Sequence, residues 1–318
     1  MACKYHYDIT NEALTQPAKD KTPEDFFVDW TAADKGNIPM LCAELCRLAY
    51  GGKDLVRFTL PRAGMKLVDW MGGEDIPDRY KTWGTDGFVA LDRNGQVFVV
   101  FRGTEPGKAE DIIADLRIKA VHWWQGGLVH EGFNAAYLAI QDQLQKTLKL
   151  YGGKLVCAGH SLGGAVATLA AADHKDRNPE LMTFGCPRVG DQAFVTQLAG
   201  QVKPSRYVNC CDVVARVPPE VIDKAHLNDL MGCFLWSTVG LGHVEEVVAG
   251  LVGEVAGHPV YTHLGDTRYI DQAGNVTSTV DIAADQAAAR KAYPPQVQLN
   301  VSAYPADGWA TGLYDSIK

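Results

Sequence analysis

Lys154-Leu155-Val156-Cys157-Ala158-Gly159-His160-Ser161-Leu162-Gly163-Gly164-Ala165-Val166-Ala167 reads as a strand, a sharp turn and a helix. Leu155 to Ala158 form a short apolar run of the length expected for a buried parallel strand. From Leu162 to His174 the residues are mostly Ala, Leu and Val, which suits a helix lying close on a sheet. Between the two stands Gly159-x-Ser161-x-Gly163. Small residues on either side of a serine let the strand and the helix approach closely while the serine takes a strained backbone conformation. The helix N-terminus then directs partial positive charge at any oxyanion forming above Ser161. The stretch therefore predicts a nucleophile elbow with Ser161 as nucleophile.

Upstream of it, Gly87-Phe88-Val89-Ala90-Leu91 and Gln96-Val97-Phe98-Val99-Val100-Phe101 flank Asp92-Arg93-Asn94-Gly95, a β-hairpin with an Asn-Gly turn. The second strand runs straight into Arg102-Gly103-Thr104. Phe133, Tyr137, Ile140, Leu144 and Leu148 recur at three- and four-residue spacing and predict one long amphipathic helix leading to the elbow strand. Downstream, Leu181-Met182-Thr183-Phe184-Gly185 and Arg206-Tyr207-Val208-Asn209 read as two further buried strands. Val260 to Leu264 and Tyr269-Ile270 alternate like a strand pair. Strands alternating with helices imply an α/β fold with a doubly wound, largely parallel sheet. In such sheets ligands sit at the carboxyl ends of the strands, where Thr104, Ser161 and Asp212 fall.

The remainder is organised around that unit. Residues 1–38 are polar and contain proline, and predict an extended N-terminal arm. The main α/β domain is expected over 39–318, opening on a helix from Pro39 to Tyr50 that Gly51-Gly52 stops. Residues 220–258 place Leu230, Met231, Phe234, Leu235, Trp236 and Val239 among glycines. That insertion reads as a lid or cap, or as a helical hairpin completing the core.

A serine nucleophile needs an acid to orient a histidine. Asp212 opens a loop just past a buried strand and is the candidate. Asp191 competes with it, although its setting resembles a helix cap. Thr104, after a strand and a glycine, stands where a first oxyanion donor is expected; the backbone N–H of Leu162 supplies the second.

Composition narrows the class. The net charge of −8 argues against nucleic acid and anionic membrane surfaces as partners. No apolar run reaches the roughly 18 residues of a membrane span. The first residues lack the apolar core of a signal peptide. The eight cysteines form no spaced framework, which favours free thiols and a cytoplasmic setting. No metal or cofactor motif appears, and the proposed chemistry requires no cofactor.

Together, Val99-Val100-Phe101-Arg102-Gly103-Thr104, Asp111-Ile112-Ile113-Ala114-Asp115-Leu116, Val129-His130-Glu131-Gly132-Phe133, Gly159-His160-Ser161-Leu162-Gly163-Gly164, Gly185-Cys186-Pro187-Arg188-Val189-Gly190-Asp191 and Asp212-Val213-Val214-Ala215-Arg216-Val217-Pro218 resemble the class 3 lipases of the fungal triacylglycerol lipase type. The resemblance covers roughly residues 85 to 270. It implies an α/β-hydrolase fold and hydrolysis of lipid esters through Ser161 and Asp212, with Thr104 at the oxyanion position. It also implies a lid hinge at Glu105 to Asp111 and a structural place for His160.

The chain departs from the family at the histidine. No histidine follows His263, and His226, His243, His258 and His263 alone follow Asp212. In the family, the motif similar to Tyr261-Thr262-His263-Leu264-Gly265-Asp266 precedes the triad histidine. Three expectations stand: the chain ends short of that histidine, His263 or a neighbour substitutes as the base, or the chain is a homologue without catalysis. The expected substrate is a lipid or ester small molecule, met in transient contact with a lipid interface. The rivals are a short-chain or aromatic-ester esterase and a binding homologue unable to deprotonate Ser161.

Overall fold

Val97–Phe101 lies at the heart of an eight-stranded sheet, and its side chains alternate between two buried layers. Val97, Val99 and Phe101 join one apolar cluster; Phe98 and Val100 join the other. Burial on both faces is why the run is continuously hydrophobic and not alternating. The computed structural model describes residues 22–27, 30, 34–72, 85–103, 119–209, 214–216, 218, 260–270 and 276–277.

In chain order the helices are α1 (Ile38–Ala49), α2 (Gly52–Thr59), α3 (Glu131–Leu138), α4 (Gln141–Leu148), α5 (Leu162–Asp173) and α6 (Gln192–Leu198). The strands of the main sheet are β1 (Lys66–Met71), β2 (Gly87–Leu91), β3 (Val97–Phe101), β6 (Leu155–His160), β7 (Glu180–Phe184), β9 (Lys203–Asn209), β11 (Thr267–Ile270) and β12 (Val276–Thr277), ordered β1-β2-β3-β6-β7-β9-β11-β12. From β3 to β11 each neighbouring pair is parallel, while β1-β2, β2-β3 and β11-β12 are antiparallel. This is the α/β-hydrolase arrangement, with β6 central and its carboxyl end leading into α5.

The two faces are covered by different helices. Phe133, Tyr137, Leu144 and the apolar residues of α5 pack with Val97, Val99 and Cys157. Leu41, Leu45 and Leu48 of α1 pack with Phe98, Val100 and Ala158. No helix among the described residues is long and apolar enough to cross a membrane.

The expected hairpin is present, with β2 and β3 in continuous antiparallel register. Its turn is fixed by Asp92, whose Oδ1 accepts from the N–H groups of Asn94 and Gln96, both at 2.8 Å, and by Gly95 at φ 78°, a conformation that suits glycine.

Three expectations are corrected. The single helix over Phe133–Leu148 is two helices, α3 and α4. The chain tightens at Ile140, whose N–H bonds the Tyr137 carbonyl at 3.0 Å. The tightened turn lets Tyr137 and Gln141 both reach Asp173 Oδ2, at 2.5 and 3.1 Å. The expected strand pair beyond Val260 is also divided. Tyr261–Thr262 (β10) pairs with Gly190–Asp191 (β8), whereas β11 runs parallel to β9. The second sheet so formed, β10-β8-β5-β4 with β4 (Ala120–His122) and β5 (Leu128–His130), has strands too short to show an alternating pattern.

The third correction concerns residues 1–38, since residues 22–27 are no extended arm. Phe26 and Phe27 are buried against α1. Glu44 Oε1 accepts from the Phe27 N–H at 2.8 Å, and Arg47 Nη2 donates to the Asp25 carbonyl at 2.6 Å. Arg47 and Glu44 are themselves paired through Nε–Oε2 at 2.9 Å and Nη2–Oε1 at 2.7 Å, and the guanidinium lies 4.0 Å from the Phe26 ring centroid.

Because Glu44 and Arg47 are both buried, Glu44→Ala leaves a buried guanidinium without its counter-charge. It is expected to cost about 3–5 kcal/mol of stability, measured by urea unfolding. A loss under about 1 kcal/mol, the scale of an exposed pair, would show the clamp to be dispensable.

Candidate functional site

Ser161 stands between β6 and α5 with φ 55° and ψ −127°. Only three non-glycine residues described have positive φ, and Ser161 is one. Such a conformation costs on the order of 1–3 kcal/mol and persists only where the surroundings enforce it. Here the Ser161 N–H donates to the Phe184 carbonyl at 2.9 Å, and the Gly164 N–H donates to the Ser161 carbonyl at 2.9 Å.

The glycines around it are required by the space. A Cβ at Gly159 would lie 2.1 Å from the Gly163 carbonyl oxygen. A Cβ at Gly163 would lie 2.4 Å from the Phe101 carbonyl oxygen, and one at Gly164 would lie 2.9 Å from Cys186 Cβ. The helix therefore rests directly on β3, β6 and the turn after β7. Leu162, buried, is its first residue, so the Leu162 N–H is one of the free donors at a helix N-terminus. Among the described residues, nothing hydrogen-bonds the Ser161 hydroxyl.

His160 points away from this opening. It is buried, and its Nδ1 lies 2.7 Å from the Tyr50 hydroxyl. Burial drives its pKa down to about 3, so the ring is neutral at physiological pH. Sequence reasoning did not find Tyr50: it ends α1, 110 residues from its partner, and nothing local marks it.

His263 follows β10 and is engaged elsewhere. Its Nε2 lies 2.8 Å from the Ala215 carbonyl, and since a carbonyl oxygen only accepts, Nε2 carries the proton. Burial, then Arg206 and Arg188, push its pKa well below the usual value, against the Ala215 hydrogen bond. Its ring lines a small cleft with Thr168, Thr183, Cys186 and Arg206, a cleft that Ser161 does not line. No hydrogen bond joins His263 to Ser161.

Asp191 is a helix cap. Its Oδ1 accepts from the Phe194 N–H at 2.8 Å and from the Leu128 N–H at 3.1 Å, which removes it from competition for the triad acid. His130 is a cap also: its Nδ1 accepts from the N–H groups of Gly132 and Phe133 at 3.1 and 3.4 Å, a role its motif did not disclose. Thr104, the hinge from Glu105 to Asp111, Asp212, the insertion over 220–258, and His226, His243 and His258 lie outside the described residues.

The profile of the family described as lipase (class 3) matches residues 98–222. The chain is similar to the lipase of Rhizomucor miehei, 35% identical over 194 residues that make up 54% of this chain and 53% of that protein. It is also similar to the secreted mono- and diacylglycerol lipase A of Penicillium cyclopium, 32% identical over 157 residues, 45% of this chain and 50% of that protein. The chain thus spans about half the length of these relatives. Among solved structures, the native propeptide complex of the Rhizomucor miehei lipase is 28% identical with a TM-score of 0.47, over 59% of this chain and 65% of that one.

Two histidines held as neutral rings, His160 buried and His263 half-buried, make stability acid-sensitive. The unfolded ring of His160 gains a proton near its ordinary 6.5, and the folded ring only near 3. The stability this contributes is complete above about pH 6.5 and falls as pH drops toward 3. His263 acts in the same direction. Between about pH 6.5 and 4.5, His160 is expected to account for a loss of roughly 2–3 kcal/mol. Urea unfolding across that range should show a shallower decline for His263→Asn than for the parent; identical declines would mean that the His263 ring is protonated in the fold.

Proposed function

We propose that this chain is a class 3 lipase-like α/β-hydrolase that cleaves carboxylic esters of lipids through an acyl-serine intermediate. The observation that carries the reading is Ser161 itself, held at positive φ where a buried parallel strand meets a helix N-terminus. A serine placed so can attack an ester carbonyl, and the charge formed falls within reach of the helix's free N–H groups.

In this reading the Ser161 oxygen forms a bond to the acyl carbon. The oxyanion is held by N–H groups at Leu162 and Thr104 while the ester C–O bond breaks. A histidine oriented by Asp212 takes the serine proton and delivers it to the leaving alcohol, and water then releases the acid. The substrate class, acylglycerols met at a lipid interface, is supported by the similarity to a lipase and to a mono- and diacylglycerol lipase.

The test is covalent labelling with a fluorophosphonate, together with hydrolysis of acylglycerols of graded chain length. Labelling is expected at Ser161 and lost in Ser161→Ala, with activity kept on long acyl chains. Steep decline beyond short chains would favour an esterase, and an unlabelled Ser161 would leave a binding homologue as the better account.

A further inference from the structure

The segment that enters the oxyanion position and the elbow that carries the nucleophile come from separate strands, and one side chain from a third element lies between them. Gly103, just before Thr104, has no room for a side chain: a Cβ there would lie 2.4 Å from the Tyr50 hydroxyl, 2.7 Å from the His160 carbonyl oxygen and 3.1 Å from Ser161 Cβ. The Tyr50 hydroxyl is meanwhile 2.7 Å from His160 Nδ1. We infer that Tyr50 is a positioning residue of the ester-cleaving site, setting the distance between the Gly103 backbone and the Ser161 elbow. This rests on the hydrolase reading of Ser161.

The direction of the bond follows from the partners. The Gly103 N–H faces the phenol oxygen and opposes the rise in its pKa, a rise that burial dominates. The phenol stays protonated, so its own O–H is free to donate to His160 Nδ1. His160 then holds its proton on Nε2 and remains a neutral acceptor. A hydroxyl touching both segments constrains the spacing between the end of β3 at Gly103 and the elbow, whose Leu162 N–H is an oxyanion donor in the hydrolase reading. Donors at fixed spacing stabilise a transition state without reorganising, and a misplacement on the order of 1 Å can cost about 100-fold in rate. Tyr50 itself need not touch substrate.

Tyr50→Phe removes the hydroxyl and keeps the ring that packs at the end of α1. The variant is expected to unfold within a few degrees of the parent and to keep KM for a p-nitrophenyl ester within about twofold. Its kcat and its rate of fluorophosphonate labelling should both fall, by about 10- to 100-fold. Restoring a hydroxyl with 3-fluorotyrosine at position 50 should recover most of the rate. Nitrogen NMR of His160 should report the Nε2–H tautomer in the parent and a changed Nδ1 environment in Tyr50→Phe. A labelled parent with unchanged kcat in the variant overturns the positioning role alone, as does a loss accounted for entirely by unfolding. A parent that is never labelled overturns the hydrolase reading, and the positioning role with it.

Discussion

Gly163 lies so close to the end of β3 that a single added carbon would sit 2.4 Å from the Phe101 carbonyl oxygen and 2.7 Å from the Arg102 carbonyl carbon. Much else depends on that approach. It lets the N-terminus of α5 rest on two parallel strands at once, and it puts the residue before the helix into a conformation that an L-residue rarely accepts. The strain at Ser161 is held by bonds on both sides, to Phe184 and from Gly164, neither of which involves the serine side chain. Among the described residues the hydroxyl is thereby left without a structural duty. A serine that is strained in its backbone and, among the described residues, unbonded at its oxygen has the arrangement expected of a nucleophile.

The same closeness sets the position of the neighbouring strand end. Arg102 leaves β3 with its N–H on the Asp86 carbonyl at 2.9 Å and its Nη2 on the Asp86 carboxylate at 2.7 Å. Gly103 is then packed against the His160 carbonyl. The end of β3 is thus tied on one side to the residues before β2 and on the other to the elbow. Polar contacts at that end of the sheet hold backbone geometry, while the apolar layers above and below hold the strands.

The parts legible in the sequence were those set by local chemistry. Gly-x-Ser-x-Gly between an apolar tetrad and an Ala-rich run could scarcely be another structure, and Asn94-Gly95 marked its turn. Asp191 carried the sign of a cap. The parts that were illegible depend on distant partners. Tyr50 shows no local signal because its partner lies at the end of a distant strand, and the break at Ile140 has no proline or glycine to announce it. Phe26 and Phe27 lie in a polar segment, and their burial follows from Glu44 and Arg47 on α1, which bind the backbone of the segment. The second sheet was invisible because strands of two or three residues carry no period.

His263 illustrates how a residue can satisfy a motif and still be electrostatically unsuited to a role. A base for Ser161 must become a cation during attack, and it needs a carboxylate beside it to hold that charge. His263 instead sits near two guanidiniums, Arg206 and Arg188, and burial further disfavours its protonation. Arg206 feels the same environment: burial brings its own pKa down to about 10. A further positive charge in that cleft would be opposed from both sides. The proton on Nε2 is already committed to the Ala215 carbonyl, two residues before Val217-Pro218, where Arg188 Nη1 donates to the Pro218 carbonyl at 2.9 Å. His263 and Arg188 therefore both anchor the backbone that follows Asp212. Their physical effect is to hold the Ala215 and Pro218 backbone beyond β9 in place.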